Sequence, residues 1–210
     1  MLVGNDVIDL GDPESRSEEL HPRFDKRVYT DAERATLRAS ASPHALRWTL
    51  WAAKESAYKV AKKLDPTVRF LWRDFVVRQI GAGRAVVKHE AGAFDVLLDR
   101  ADQWVHVVAT LSNEHALSPA RPAVWGIRAL DTPDADPSST VRKWARRALA
   151  TQAGLPIGDL HIGSDRGIPV ALLGDRRLPF DLSLSHHGRF VAWACGDCRI
   201  PNDQRGFVAA

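Results

Sequence analysis

Cysteine is nearly absent. The 210 residues hold two, Cys195 and Cys198, too few for a disulfide framework, so reduced, buried or idle thiols are expected. Cys195-Gly196-Asp197-Cys198 has the spacing of half a zinc site, but no second Cys or His pair completes it. Long apolar runs are missing too. No stretch approaches the roughly 20 residues of a membrane helix, which argues against membrane insertion. The opening MLVGNDVIDL sets Asp6 and Asp9 where a secretory signal needs a basic end and an apolar run. A cytoplasmic location is therefore expected.

What is present suits a globular protein: 45% hydrophobic and 26% charged residues. The net charge is +3, and its placement is uneven. Residues 1–115 hold 17 basic and 17 acidic residues, whereas residues 116–210 hold 12 and 9. The excess thus lies wholly in the second half, where four of the six residues from Arg142 to Arg147 are basic. Such a run reads as a solvated helix face or as a site for phosphate or an acidic partner. A basic nucleic-acid-binding module is one reading of it, but no nucleic-acid motif accompanies the charge.

The pattern of elements is α+β. Leu2 to Asp9 reads as a strand stopped by Gly11, Asp12 and Pro13. Thr30-Asp31-Ala32-Glu33 is a capping box for a helix to about Arg38. Ser42-Pro43 opens a second helix running to Leu64, with an apolar stripe at Leu46, Leu50, Ala53, Ala57 and Val60 or Ala61. Strands are expected over Phe70–Ile80, Arg84–His89, Phe94–Leu98 and Trp104–Leu111. A connecting segment rich in Asp and Pro lies between Asp131 and Pro137, after a possible strand at Ala123–Leu130. Ser138 or Ser139 caps a helix to about Gln152, with Gly154 at its end, and Val170–Leu173, Phe180–Leu184 and Phe190–Cys195 read as strands. The expected organisation is one lobe at 1–115, a linker with a possible strand at 116–137, and a second lobe at 138–210.

Three segments carry chemistry. An Asp in the apolar strand Val3-Gly4-Asn5-Asp6-Val7-Ile8-Asp9 has a desolvation cost unless paired or bound to a metal. In Trp51-Ala52-Ala53-Lys54-Glu55-Ser56-Ala57-Tyr58-Lys59, the four-residue spacing puts Glu55 and Lys59 on one helix face. Ser183-Leu184-Ser185-His186-His187-Gly188-Arg189 ends a strand in a polar turn. Each alone suits an ordinary structural role. Together they resemble the 4′-phosphopantetheinyl transferases, whose Gly-x-Asp strand, Trp-x-x-Lys-Glu-x-x-x-Lys helix and Ser-His turn match Gly4-Asn5-Asp6, Trp51 to Lys59, and Ser185-His186. In the common two-domain, surfactin-synthetase-activating type the Ser-His half comes first. Here it comes last, as in a circular permutation, so residue 1 is expected beside about residue 196.

The resemblance implies two similar α/β lobes related by a pseudo-twofold, the 4′-phosphopantetheinyl transferase fold, in a monomer. It implies a holo-[acyl-carrier-protein] synthase activity: transfer of the phosphopantetheine arm of coenzyme A to a serine of an apo acyl or peptidyl carrier protein, with release of adenosine 3′,5′-bisphosphate. Mg2+ is the implied cofactor, on Asp6 and Glu55. Glu55 and Lys59 are the implied catalytic residues, and Lys54, Lys59, Arg142, Ser185 and His186 the implied coenzyme A contacts. The three-residue spacing turns Asp9 away from Asp6 in a regular strand. Gly167-Ile168-Pro169 resembles the family's Gly-Lys-Pro turn without its lysine, for which the neighbouring Arg166 is a candidate substitute. An inactive relative acting as an interaction domain is the remaining reading. Retention of Asp6, Glu55 and Lys59 speaks against it.

Overall fold

The computed structural model describes residues 1–81, 83–112, 123–132 and 134–198. The architecture is α+β. The chain runs β1 (Val3–Asp9), a 3-10 turn (Pro13–Ser15), α1 (Phe24–Val28), α2 (Asp31–Ala39) and α3 (Pro43–Leu64), then β2 (Val76–Gly81), β3 (Arg84–His89), β4 (Gly92–Ala101) and β5 (Trp104–Leu111). It continues through β6 (Val124–Ala129), α4 (Pro137–Ala153), β7 (Leu160–Asp165), β8 (Ile168–Leu173), β9 (Arg176–Arg177), β10 (Asp181–His187) and β11 (Phe190–Gly196). Among the described residues three antiparallel sheets result, in the orders β1-β5-β4-β3-β2, β10-β11-β6 and β7-β8-β9. β6 thus belongs to the sheet of the second half, although it lies within the expected linker. Residues 113–122 and 133 of that linker lie outside the described residues.

Each half sets one long helix against a sheet. The stripe expected on α3 is the one it buries: Leu50, Ala53, Ala57, Val60 and Ala61 join Phe75, Val87, Phe94, Val105, Val107 and Ala109 in a first core. On α4, Val141, Ala145 and Leu149 meet Leu182, Val191, Trp193 and Cys195 in a second. The layers run α3, first sheet, second sheet, α4, because β1 also packs on β10 and β11. Residue 1 does lie beside residue 196: the amino group of Met1 pairs with Asp197.

β1 and β11 are buried along their whole length, since each is covered on both faces. Along β1 the period of two divides the work. Gly4, Asp6 and Ile8 face α3, whereas Val3, Asn5, Val7 and Asp9 face the second lobe. Gly4 is required where it stands. A Cβ there would overlap the carbonyl oxygen of Ser56, so the absent side chain is what lets α3 lie against the strand.

Several elements differ from the sequence-based expectation. The strand expected at Phe70–Ile80 begins only at Val76, because the Lys54 ammonium captures the carbonyls of Trp72 and Phe75 and holds that stretch in turns. α4 is capped by Asp136, not Ser138 or Ser139: its carboxylate accepts the Ser139 amide at 2.8 Å, and Pro137 takes the first helical position. α1 is too short to stand on its own periodicity, and packing of Phe24 on Trp48 and Trp51 supports it. β7 was not expected. It pairs with β8 through the turn Arg166-Gly167, where both residues have positive φ (50° and 82°), as a two-residue hairpin demands. Cys195 and Cys198, expected as free thiols, are joined as a disulfide, since the tight turn at the end of β11 brings their sulfurs together. Gly4→Ala should cost about 1–3 kcal/mol through overpacking. A urea titration in which the midpoint stays put would show that α3 does not need this contact.

Candidate active site

Asp6, Glu55 and Lys59 meet where β1 lies under α3. Asp6 comes from the middle of the buried strand. Glu55 and Lys59 come from one face of the helix, one turn apart. The Lys59 ammonium lies 3.2 Å from Asp6 Oδ1 and 3.2 Å from Glu55 Oε1, and it donates to the Asn5 carbonyl at 2.8 Å. Lys59 and Glu55 keep about a quarter of their side-chain surface open, whereas Asp6 is nearly closed off. The site therefore opens to solvent on the helix side.

Burial pushes the Asp6 carboxyl up to about 7, because Lys59 only partly offsets desolvation and Glu55 adds like-charge repulsion. Burial also pulls the Lys59 ammonium down, but Asp6 and Glu55 outweigh it and hold it above its ordinary value. Asp6 Oδ2 is buried with no hydrogen-bond partner among the described residues. An acid with one orphaned oxygen beside a second carboxylate is a hard-oxygen donor set, which fits a divalent cation such as magnesium.

Asp9 is placed otherwise. It points to the opposite face, as its spacing implied, and Arg189 grips it at 2.7 Å from both Nε and Nη2. Burial raises its carboxyl, but these bonds win and hold it below its ordinary value. With both oxygens engaged, Asp9 is an anchor between the lobes.

The expected coenzyme A contacts divide. His186 is exposed at the end of β10. Partial desolvation by its neighbours depresses its imidazole, and so do the charges of Lys59, His187 and Arg142, with Asp136 opposing. Arg142 stands in the first turns of α4, held by Ser138 Oγ at 2.7 Å. Ser185 is buried in the seam, where its Oγ accepts from Asn5 Nδ2 at 3.0 Å. Arg166 is exposed in the β7–β8 turn.

Lys54 does not join this group. It is wholly buried, bonded to Glu33 at 2.9 Å and to the carbonyls of Phe75 and Trp72 at 2.6 and 3.1 Å. The reason is helical geometry: one residue from Glu55 is about 100° around the helix, which turns Lys54 into the core. Glu33 in turn accepts the Val77 amide and completes the capping box of α2. The motif lysine is therefore a structural pin among α2, α3 and β2, not an anion contact.

A further set of possible ligands, which the sequence did not single out as a group, is Asp12, Glu14 and His187, within 4.8 Å of one another. His187 Nδ1 accepts the Asp9 amide at 3.2 Å, so the neutral ring carries its proton on Nε2 and has no free lone pair for a metal.

The profile of the 4′-phosphopantetheinyl transferase superfamily matches residues 2–118, more than half of the chain. The chain belongs to that superfamily, a class of transferases. The matched stretch contains Asp6, Glu55 and Lys59, and ends before Arg142, Ser185 and His186. Among curated relatives, the holo-[acyl-carrier-protein] synthase of Paramagnetospirillum magneticum is 33% identical over 125 residues, covering 56% of this chain and 90% of that protein. That of Jannaschia sp. is 29% identical over 158 residues, covering 70% and 97%. Crystal structures of the synthases from Neisseria meningitidis and Thermotoga maritima align at TM-scores of 0.44 and 0.40. Their identities are 16% and 14%, covering 54% of this chain and 100% of the first, and 83% of this chain and 83% of the second.

Two outcomes follow from these placements. Lys54→Met leaves Glu33 buried without its cation and should lower unfolding free energy by about 3–5 kcal/mol; denaturant unfolding reads this, and a negligible loss contradicts the pin. Asp6 has a folded pKa raised from 3.8 to about 7, so its contribution to stability is present below the unfolded value and lost as pH rises to about 7. Asp6→Asn should therefore gain stability relative to the parent as pH goes from 4 to 8. Parallel stability curves for the two proteins would rule out the raised pKa.

Proposed function

We propose that this chain transfers the phosphopantetheine arm of coenzyme A to a serine hydroxyl of an apo acyl or peptidyl carrier protein, as a holo-[acyl-carrier-protein] synthase. The observation that carries this reading is Lys59 held between Asp6 and Glu55, with one buried Asp6 oxygen left unpaired. The relatives' shared name and the superfamily match support the reaction class.

Asp6 and Glu55 would hold magnesium. When bound, that ion neutralises charge on the pyrophosphate. The other parts are supplied by side chains. Lys59, a mobile point charge, turns from the two carboxylates to the pyrophosphate oxygens. Glu55, the more open of the two acids, takes the proton of the serine hydroxyl directly or through one water. The serine oxygen then forms its bond to the phosphorus bearing the arm as the pyrophosphate bridge breaks, and adenosine 3′,5′-bisphosphate leaves. Arg142 and His186 bind the phosphate at the nucleotide end, and Ser185 braces the strand that presents His186. Asp9 stands outside the metal set because Arg189 occupies both its oxygens.

The reading extends to domain order. Residues 1–115 form the lobe of acids and lysine and residues 138–210 the coenzyme A lobe, related by a pseudo-twofold and permuted relative to the two-domain, surfactin-synthetase-activating type. The shared plan of helix on antiparallel sheet and the pairing of Met1 with Asp197 support that relation.

The test incubates the protein with coenzyme A, Mg2+ and apo carriers of fatty-acid, polyketide and peptide synthesis. Mass spectrometry should show the carrier heavier by one phosphopantetheine. Asp6→Ala and Glu55→Ala should each slow transfer by about 10²-fold or more, and a chelator should stop it. No gain of mass on any carrier would sink the proposal.

A further inference from the structure

Asn5 lies beside Asp6 but points to the other face of β1. Its Nδ2 donates to Ser185 Oγ at 3.0 Å and lies 3.2 Å from His106 Nε2. Asn5 and His106 are wholly buried and Ser185 nearly so. An amide nitrogen has two hydrogens to give, so His106 Nε2 accepts one and the ring proton sits on Nδ1. Among the described residues that Nδ1 has no partner, and neither does Asn5 Oδ1. Turning the amide over would pair the oxygen and strand the nitrogen instead. Two buried polar atoms remain unpaired in either orientation.

Their surroundings make this unexpected. On one side of the group Val3, Val108, Ala123 and Ala194 form an apolar contact between the lobes, and on the other Val7, Phe190 and Ala192 form a second. Unpaired buried polar atoms disfavour folding, and apolar residues of similar shape would join the sheets at least as firmly. Nor is Asn5 needed to hold the lobes together. Asp181 accepts the Val3 amide and the Lys63 ammonium, Ser183 Oγ accepts the Asn5 amide, His187 Nδ1 accepts the Asp9 amide, Arg189 grips Asp9, and Met1 pairs with Asp197. Adhesion of the lobes therefore does not explain the Asn5 side chain. What those contacts omit is a link between the residue next to Asp6 and the residue next to His186. The Asn5 side chain makes that link.

We infer that Asn5 is a positioning residue: its amide, oriented by His106, fixes Ser185 and so sets the distance from His186 to Asp6 and Lys59. A fixed spacing of this kind serves a ligand that carries phosphate at two separated points and touches both lobes. Coenzyme A is such a ligand, and this functional half rests on the transferase reading above. The structural half, the setting of β10 by Asn5, does not.

The experiment compares the parent with Asn5→Leu and with the double variant Asn5→Leu/His106→Leu, which replaces both polar partners. The double variant should melt at the parent's temperature or above it, and the single variant, which leaves His106 Nε2 unpaired, a few degrees lower. The KM for coenzyme A should rise about tenfold, while the KM for the carrier and kcat change little. In the ligand-free protein, amide hydrogen exchange at Ser185, His186 and His187 should quicken about tenfold, with α3 unaffected. A merely structural role would lower the active fraction, and with it kcat, leaving both KM values alone; that result overturns the inference. So does failure of both variants to fold, because the seam would then depend on Asn5 for stability. Should the parent transfer nothing to any carrier, exchange decides by itself: faster exchange at β10 sustains the positioning role without the transferase, and unchanged exchange refutes it.

Discussion

The open edge of β1 is the constraint on which the rest of this structure depends. Among the described residues β1 pairs with β5 on one side only, and the second half of the chain closes over it, so its remaining backbone groups are buried without a neighbouring strand of those residues. Buried amides and carbonyls must find partners. They find them in side chains from both lobes. Asp181, Ser183 and His187 of β10 accept the amides of Val3, Asn5 and Asp9, each 178 residues further along. Lys63 and Lys59 of α3 donate to the carbonyls of Val3 and Asn5. A strand completed in this way registers helix, sheet and second lobe against one another.

The site follows from the same arrangement. Because Lys59 both caps the Asn5 carbonyl and meets Asp6 and Glu55, the group proposed to handle phosphate is also a fixture of the strand it serves. Because β1 is buried, Asp6 is desolvated, and its raised pKa and unpaired oxygen result from that placement. The uneven charge of the chain has a physical place here as well. The acids and lysine stand on the neutral half, and Arg142 and His186 stand on the basic half.

Much of this was legible in the sequence. The helix of residues 43–64 could be read from its apolar stripe and from Pro43, and the side-by-side placement of Glu55 and Lys59 from their spacing, since helical periodicity is local. The opposed faces of Asp6 and Asp9 follow likewise from the period of a strand. Less legible were features made by contacts between distant residues. Lys54 matched a motif lysine, yet only Glu33 and the carbonyls of the 72–75 stretch reveal it as a buried pin. β7 lacks a strong alternating pattern, and its turn depends on positive φ at Arg166, a residue that carries no turn signal. The disulfide depends on how closely β11 ends in a turn, which the spacing of Cys195 and Cys198 alone did not settle.

By itself the sequence determined the class of fold, the two long helices, most strands, and the identity of the motif residues, because each of these is written in short-range periodicity, capping and spacing. Tertiary structure alone decided which motif residues face one another. It turned Lys54 inward, spent Asp9 on Arg189, and buried Ser185 against Asn5. Those outcomes depend on how two lobes cover the unpaired edge of one strand, and no local pattern encodes a partner 178 residues away.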